Sequence, residues 1–108
     1  MGATVWRVRD STTFRDVRRQ GVRGRAGPLT VTWAAGGDRP RVAYAIGRPV
    51  GNAVARNRLR RRLRALVDDA AAELRPGAYL IAATPAATTL DTGELRRTLQ
   101  TALNRLPA

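Results

Sequence analysis

Between Arg56 and Arg64 the chain reads RNRLRRRLR, six arginines around leucines at 59 and 63 with no carboxylate among them. As a helix this run opposes itself. Arg56/Arg60, Arg58/Arg62 and Arg60/Arg64 are like charges at i, i+4, each unfavourable by about 0.2–0.5 kcal/mol. The macrodipole adds to the cost, since the arginines lead and Asp68, Asp69 and Glu73 trail. Such a segment folds only where its apolar side is held by a core. At 100° per residue, Leu63, Leu66, Ala70 and Leu74 fall within about 60° of Leu59, and Val67 at about 80°. Asn57, Arg60, Arg61 and Arg64 cluster on one flank of this stripe, and Arg58 and Arg62 form a row on the other. Arg56 sits over the stripe, one turn before it begins. Pro49 and Gly51 break the chain upstream, Asn52 is suited to cap, and Pro76-Gly77 ends the segment downstream. The pattern predicts a helix over 53–73.

A charge run is usually a solvated face, but solvated faces mix signs. Here twenty basic residues stand against eight acidic ones, for a net charge of +12, and every basic residue is arginine. A small domain this basic implies a polyanionic partner, whose phosphates supply affinity through counterion release. Arginine suits them, because its planar fork gives bidentate bonds and keeps its charge. An anionic membrane fits less well, since no segment pairs a basic face with large aromatic anchors. Six arginines at the unfavourable end of a helix point to nucleic acid, with Asn57 available for a directional contact to a base or 2′-hydroxyl. The spacing does not separate RNA from DNA.

The 108 residues suffice for one domain, 1–108, with a basic arm over 1–10. Without cysteine there is neither a disulfide nor a thiolate metal site. No apolar run approaches ~18 residues and the first residues are not signal-like, so a soluble, cytoplasmic protein is expected. A first helix is predicted from Ser11 or Thr12 to Gln20, with Phe14 and Val17 on one face, ended by Gly21. GVRGRAGP (21–28) reads as a flexible basic loop. LTVTW (29–33) alternates as a strand with Leu29, Val31 and Trp33 aligned, and RVAYAIG (41–47) as a second with Val42, Tyr44 and Ile46 aligned. Paired as a hairpin, the two leave Thr30, Thr32, Ala43, Ala45 and Gly47 on the opposite face. That floor of small side chains admits close approach by the first helix or by a ligand. AYLIAA (78–83) reads as a buried third strand, and residues 92–106 as an amphipathic helix with Leu95, Leu99, Ala102, Leu103 and Leu106 on one face.

RVAYAIGRPVGNAVARNRLRRRLRAL resembles the signature segment of the bacterial ribonuclease P protein subunit. The matching residues are Val50, Gly51, Ala53, Val54, Arg56, Asn57, Arg58, Arg60, Arg61, Arg62, Leu63 and Arg64. Phe14-x-x-Val17 followed by Gly21, and YLIAATP, extend the likeness over nearly the whole chain. The chain departs from the family at Arg18 and Thr32, where aromatics are frequent, and at Pro49, Ala65 and Thr84.

The resemblance implies an α/β (α+β two-layer) fold of the ribosomal S5 domain 2-like kind. Its mixed sheet carries about three helices in the order αββ(β)αβα, with a left-handed βαβ crossover. It implies a protein that binds a large catalytic RNA and helps it remove the 5′ leader of precursor tRNA, with Mg²⁺ held by the RNA. One protein would join one RNA, and no membrane is involved. The RNA-binding residues it implies are Arg48, Asn52, Arg56, Asn57, Arg58, Arg60, Arg61, Arg62 and Arg64. The leader cleft maps to Phe14, Thr30, Thr32, Ala45 and Arg48, with Phe14 placed to stack on a base.

Catalysis by the protein alone is disfavoured. There is no histidine, the usual general acid and base for RNA cleavage. Asp68, Asp69 and Glu73 are the only carboxylates close together, and are expected to pair with arginines such as Arg64 or face water, with no metal site and no catalytic residue in the protein. Two other readings remain. One is a ribosomal-type structural RNA-binding protein. The other is a DNA-binding module, against which the leucines tie the basic helix to a core instead of leaving it to project into a groove.

Overall fold

The computed structural model describes residues 6–7, 17 and 19–107. The predicted first helix and the arm lie largely outside these residues; Val17, Arg19 and Gln20 are helical. The strands are β1 (Trp6–Arg7), β2 (Val22–Ala26), β3 (Leu29–Ala34), β4 (Pro40–Ala45) and β5 (Gly77–Ala83), and the helices α1 (Ala53–Asp69) and α2 (Thr92–Asn104). Together they form a five-stranded mixed sheet of order β1-β4-β5-β3-β2. β4 and β5 run parallel with α1 in the connection between them, whereas β3 pairs antiparallel with both β5 and β2. No helix among the described residues is long and apolar enough to cross a membrane.

Three expectations need correction. The predicted hairpin of 29–33 with 41–47 does not form, because β5 lies between β3 and β4. The cause is burial: all of Gly77–Ile81 is buried, and a strand apolar on both faces is stable only at the centre of a sheet. The basic loop predicted at 21–28 is strand β2 and its turn. Two residues, Gly27-Pro28, separate the pair Ala26↔Leu29, and Gly27 takes φ +50°, the first central position that such a hairpin turn reserves for glycine. Finally, α1 ends at Asp69, and Ala71–Glu73 continue as a 3₁₀ turn.

α1 forms as its stripe predicts. Leu59, Leu63, Leu66 and Val67 are buried, and the Asn52 carboxamide accepts a hydrogen bond from the Ala55 N–H at 2.9 Å, capping the first turn. α2 begins with a capping box of Asp91 and Glu94, and buries Leu95, Leu99 and Ala102. The Glu94 N–H bonded to the Asp91 carboxylate holds that carboxyl below the usual range.

Both helices cover one face of the sheet, meeting Leu29, Val31, Val42, Tyr79 and Ile81. Fully burying a side chain such as Leu63 is worth about 1.5–3 kcal/mol. At one end Arg75 stacks on Trp33 at 3.8 Å, donates to the Pro107 carbonyl at 2.7 Å and offers its own carbonyl to the Tyr79 hydroxyl at 2.8 Å. Burial pushes the Tyr79 phenol up. Arg75 is thus a cation built into the structure.

Candidate nucleic-acid interface

The leucines of α1 dictate where its arginines go. With Leu59 and Leu63 against the sheet, Asn57, Arg58 and Arg61 are exposed on the outer side, while Arg56, Arg60, Arg62 and Arg64 are half-buried on the flanks. Three of these flanking cations have partners within the chain. Arg60 donates to the Asn57 carboxamide at 2.7 Å, and Arg62 to the Leu90 carbonyl ahead of α2. The Arg64 guanidinium lies over the Tyr44 ring at 6.0 Å, at the outer limit of a cation–π contact. The Nε atoms of Arg56 and Arg64 are enclosed. Arg48, in the 3₁₀ turn Arg48–Val50, is exposed, as is Asn52.

The helix therefore presents two kinds of arginine. Arg58 and Arg61 are exposed and make no hydrogen bond or ion pair among the described residues. Arg60 and Arg62 are oriented by hydrogen bonds that spend part of their donor set, and Arg64 by its approach to the Tyr44 ring. Neutralisation among the described residues is slight. Asp69 meets Arg96 of α2 at 3.8 Å, not Arg64, and that pair is exposed and worth little. Among the described residues no carboxylate pairs with Arg56 to Arg64.

The face of the sheet away from α1 and α2 is the second part of the site. Opposed residues share a face, so the register sets Thr30, Ala82 and Ala45 in one row and Thr32, Leu80 and Ala43 in the next. Val17 of the first helical segment packs on Ala43, Ala78 and Leu80, so that segment covers part of the predicted small-residue floor. Thr32 is buried there, whereas Thr30 and Ala45 remain half-exposed at the open end. Phe14 lies outside the described residues. The same register extends the rows onto β2, where Arg25 stands opposite Thr30 and Arg23 opposite Thr32. Both arginines are exposed, and reading 21–28 as a loop passed over them. The signal was the alternation R-G-R, with the glycine turned toward α2.

Comparison with known proteins agrees with this architecture. The chain is similar to the ribonuclease P protein component of Nocardioides sp. (strain ATCC BAA-499 / JS614), at 38% identity over 113 residues, covering 100% of this chain and 97% of that one. It is similar also to that of Beutenbergia cavernae, at 35% identity, covering 93% and 87%. Among solved structures, the Staphylococcus aureus RNase P protein superposes with a TM-score of 0.86 at 18% identity, covering 94% of each chain. The Thermotoga maritima RNase P protein gives 0.84 at 19%, covering 94% of this chain and 98% of that one. At these identities the superpositions speak for the fold. The model of the family Ribonuclease P matches residues 3–107, from the arm to the end of α2 and beyond, and to that family this chain belongs.

Proposed function

We propose that the chain is the RNA-binding protein subunit of ribonuclease P, acting in the bacterial cytoplasm in a one-to-one complex with the catalytic RNA. The observation that carries this reading is the family match over residues 3–107. The outer cations of α1, Arg58 and Arg61, contact phosphates of the catalytic RNA. Arg60, Arg62 and Arg64, fixed by Asn57, Leu90 and Tyr44, add oriented contacts at the flanks. The 5′ leader of precursor tRNA lies on the open sheet face by Thr30 and Ala45, with Arg48 beside it.

The protein's part is to bind and position. Mg²⁺ supplies the hydrolytic chemistry within the RNA. Among the described residues no three His, Cys, Asp or Glu side chains come together to cage such an ion. By neutralising phosphates, the arginines lessen the repulsion between two polyanions and lower the Mg²⁺ needed to hold precursor and catalytic RNA together.

The test is leader cleavage by bacterial ribonuclease P RNA at low Mg²⁺, with and without the protein. Stimulation is expected, with the protein inert by itself. Within the same assay Arg58→Ala with Arg61→Ala should weaken RNA binding and reduce the salt slope by about two, with the melting temperature no lower than that of the wild type, since a like-charge cost is relieved. Tight RNA binding without stimulation would mark a structural RNA-binding protein of the ribosomal type instead.

A further inference from the structure

We infer that the β2 edge of the open face is a phosphate-binding rim, at which Arg23 and Arg25 hold the backbone of single-stranded RNA that has crossed the sheet, namely the upstream part of the leader. The inference rests on the function proposed above and extends its site beyond the leader-cleft residues named there.

The orientation of β2 is fixed. Its other face packs on α2 so closely that a Cβ at Gly24 would stand 2.1 Å from the Ala102 carbonyl oxygen. Ala26 is buried in the same layer, and the Arg105 side chain donates to the Arg25 carbonyl at 2.6 Å. A slip of one residue would drive Arg23 or Arg25 into the core. Both guanidinium groups are therefore committed to the open face. They are two residues apart along one strand, about 6.5–7 Å, so they can meet two successive phosphates of an extended polynucleotide where it turns along the edge after crossing the floor.

The surface beside the cations also fits a strand of RNA. From Arg25 the row runs through Thr30 and Ala82 to Ala45, a floor of small neutral side chains ~14 Å across at three strand spacings. Arg48, three residues past Ala45 in the turn that follows β4, is also exposed. Positive charge at the β2 end of a small neutral floor matches a polyanion laid across the strands.

Among the described residues the carboxylates lie elsewhere: Asp68, Asp69, Glu73, Asp91 and Glu94 belong to the helical layer, its 3₁₀ turn and its caps, and Asp38 to the β3–β4 turn. Neither Arg23 nor Arg25 has an ion pair among the described residues. Arginines on an edge strand also discourage edge-to-edge pairing. That role alone predicts indifference to RNA, which a titration against leader length detects.

Holoenzyme assembled from this protein and bacterial ribonuclease P RNA is titrated with precursor tRNAs bearing a short leader, or one long enough to cross the ~14 Å floor. The wild type should bind the long-leader substrate more tightly. Arg23→Ala with Arg25→Ala should weaken long-leader binding by roughly tenfold and lower its salt slope by about 1.4, as expected for two phosphates of a single strand. Short-leader binding and affinity for the catalytic RNA should not change. Arg23→Lys with Arg25→Lys should restore most of the loss, which a folding defect would not.

Equal loss with both leaders, or loss of affinity for the catalytic RNA, would assign these arginines to that RNA and overturn the inference. No change with either leader would leave them as edge protection and overturn it too. The proposed function survives both results, as long as the protein still stimulates cleavage. Failure of the wild type to stimulate at all would remove both readings.

Discussion

On one face of the sheet Leu29, Val31, Val42, Tyr79 and Ile81 meet the leucines of α1 and α2; on the other, the same strands carry mostly small residues, Thr30, Thr32, Ala43, Ala45, Ala78 and Ala82, beside the larger Leu80 and Arg41. A face that must fill the gap to two helices needs large side chains at close packing. A face that must admit something else needs small ones. The first helical segment takes part of that space through Val17, and the row from Arg25 to Ala45 keeps the rest. The two faces should answer mutation in opposite ways. Making a residue smaller should hurt the helical face, while making one larger should hurt the function of the open face. α1 belongs to both regimes, with leucines inward and arginines outward.

The largest effect should come from Leu63→Ala. Leu63 has no solvent exposure and sits where α1 meets the sheet. Loss of its buried methyl groups, plus the cavity left behind, should cost about 2–5 kcal/mol, read by urea or thermal unfolding. For a domain whose total stability is of order 5–15 kcal/mol, that approaches unfolding. RNA binding by the fraction still folded should keep its salt slope, since no cation has been removed. A cost below about 1 kcal/mol would mean that α1 is held by something other than its leucine stripe, and the contrast between the faces would break.

Gly24→Ala tests the boundary between the faces and should come next. The new Cβ would meet backbone at Ala102 of α2 and at Arg105 and Leu106 just past its end, and a backbone cannot swing aside as a side chain can. Overpacking of this kind costs about 1–3 kcal/mol. The damage should centre on β2 and α2, so hydrogen exchange should quicken there before it does in β4 and β5. Uniform quickening would show that β2 and α2 are not a separable unit.

The two faces were not equally legible in the sequence. The stripe of α1 and its Asn52 cap could be read directly, because both depend on residues within a few positions of each other. The strands over 29–33 and 78–83, and the leucine face of α2, declared themselves through alternation or helical spacing. The order of the sheet did not. Placing β5 between β3 and β4 joins segments more than thirty residues apart, and only the double-sided burial of β5 hinted at it. β2 was missed because its inward residues, Gly24 and Ala26, are small where α2 approaches, which leaves no apolar alternation to notice. A helical wheel could show where Arg62 points, yet not that the Leu90 carbonyl waits there. The small floor with Thr30 and Ala45 was legible as a floor, but its extension to Arg23 and Arg25 required the register.

Ala82→Leu should have the smallest effect on stability and gives the sharpest view of the comparison. Ala82 is half-exposed at the middle of the open row, between Thr30 and Ala45. A larger apolar side chain there replaces no buried contact, and the strand tolerates it, so unfolding free energy should stay within about 0.5 kcal/mol of the wild type. The effect should appear instead in RNA. The added side chain stands on the floor where the leader is proposed to lie and lifts the strand away from the cations at the β2 edge. Binding of long-leader precursor tRNA to the holoenzyme should weaken by about tenfold, or 1.4 kcal/mol, with affinity for the catalytic RNA unchanged. Unchanged leader binding would place the RNA path off this row, while a large loss of stability would show that the row is packed as tightly as the helical face. Either result would erase the distinction between a face built to be filled and a face built to be occupied.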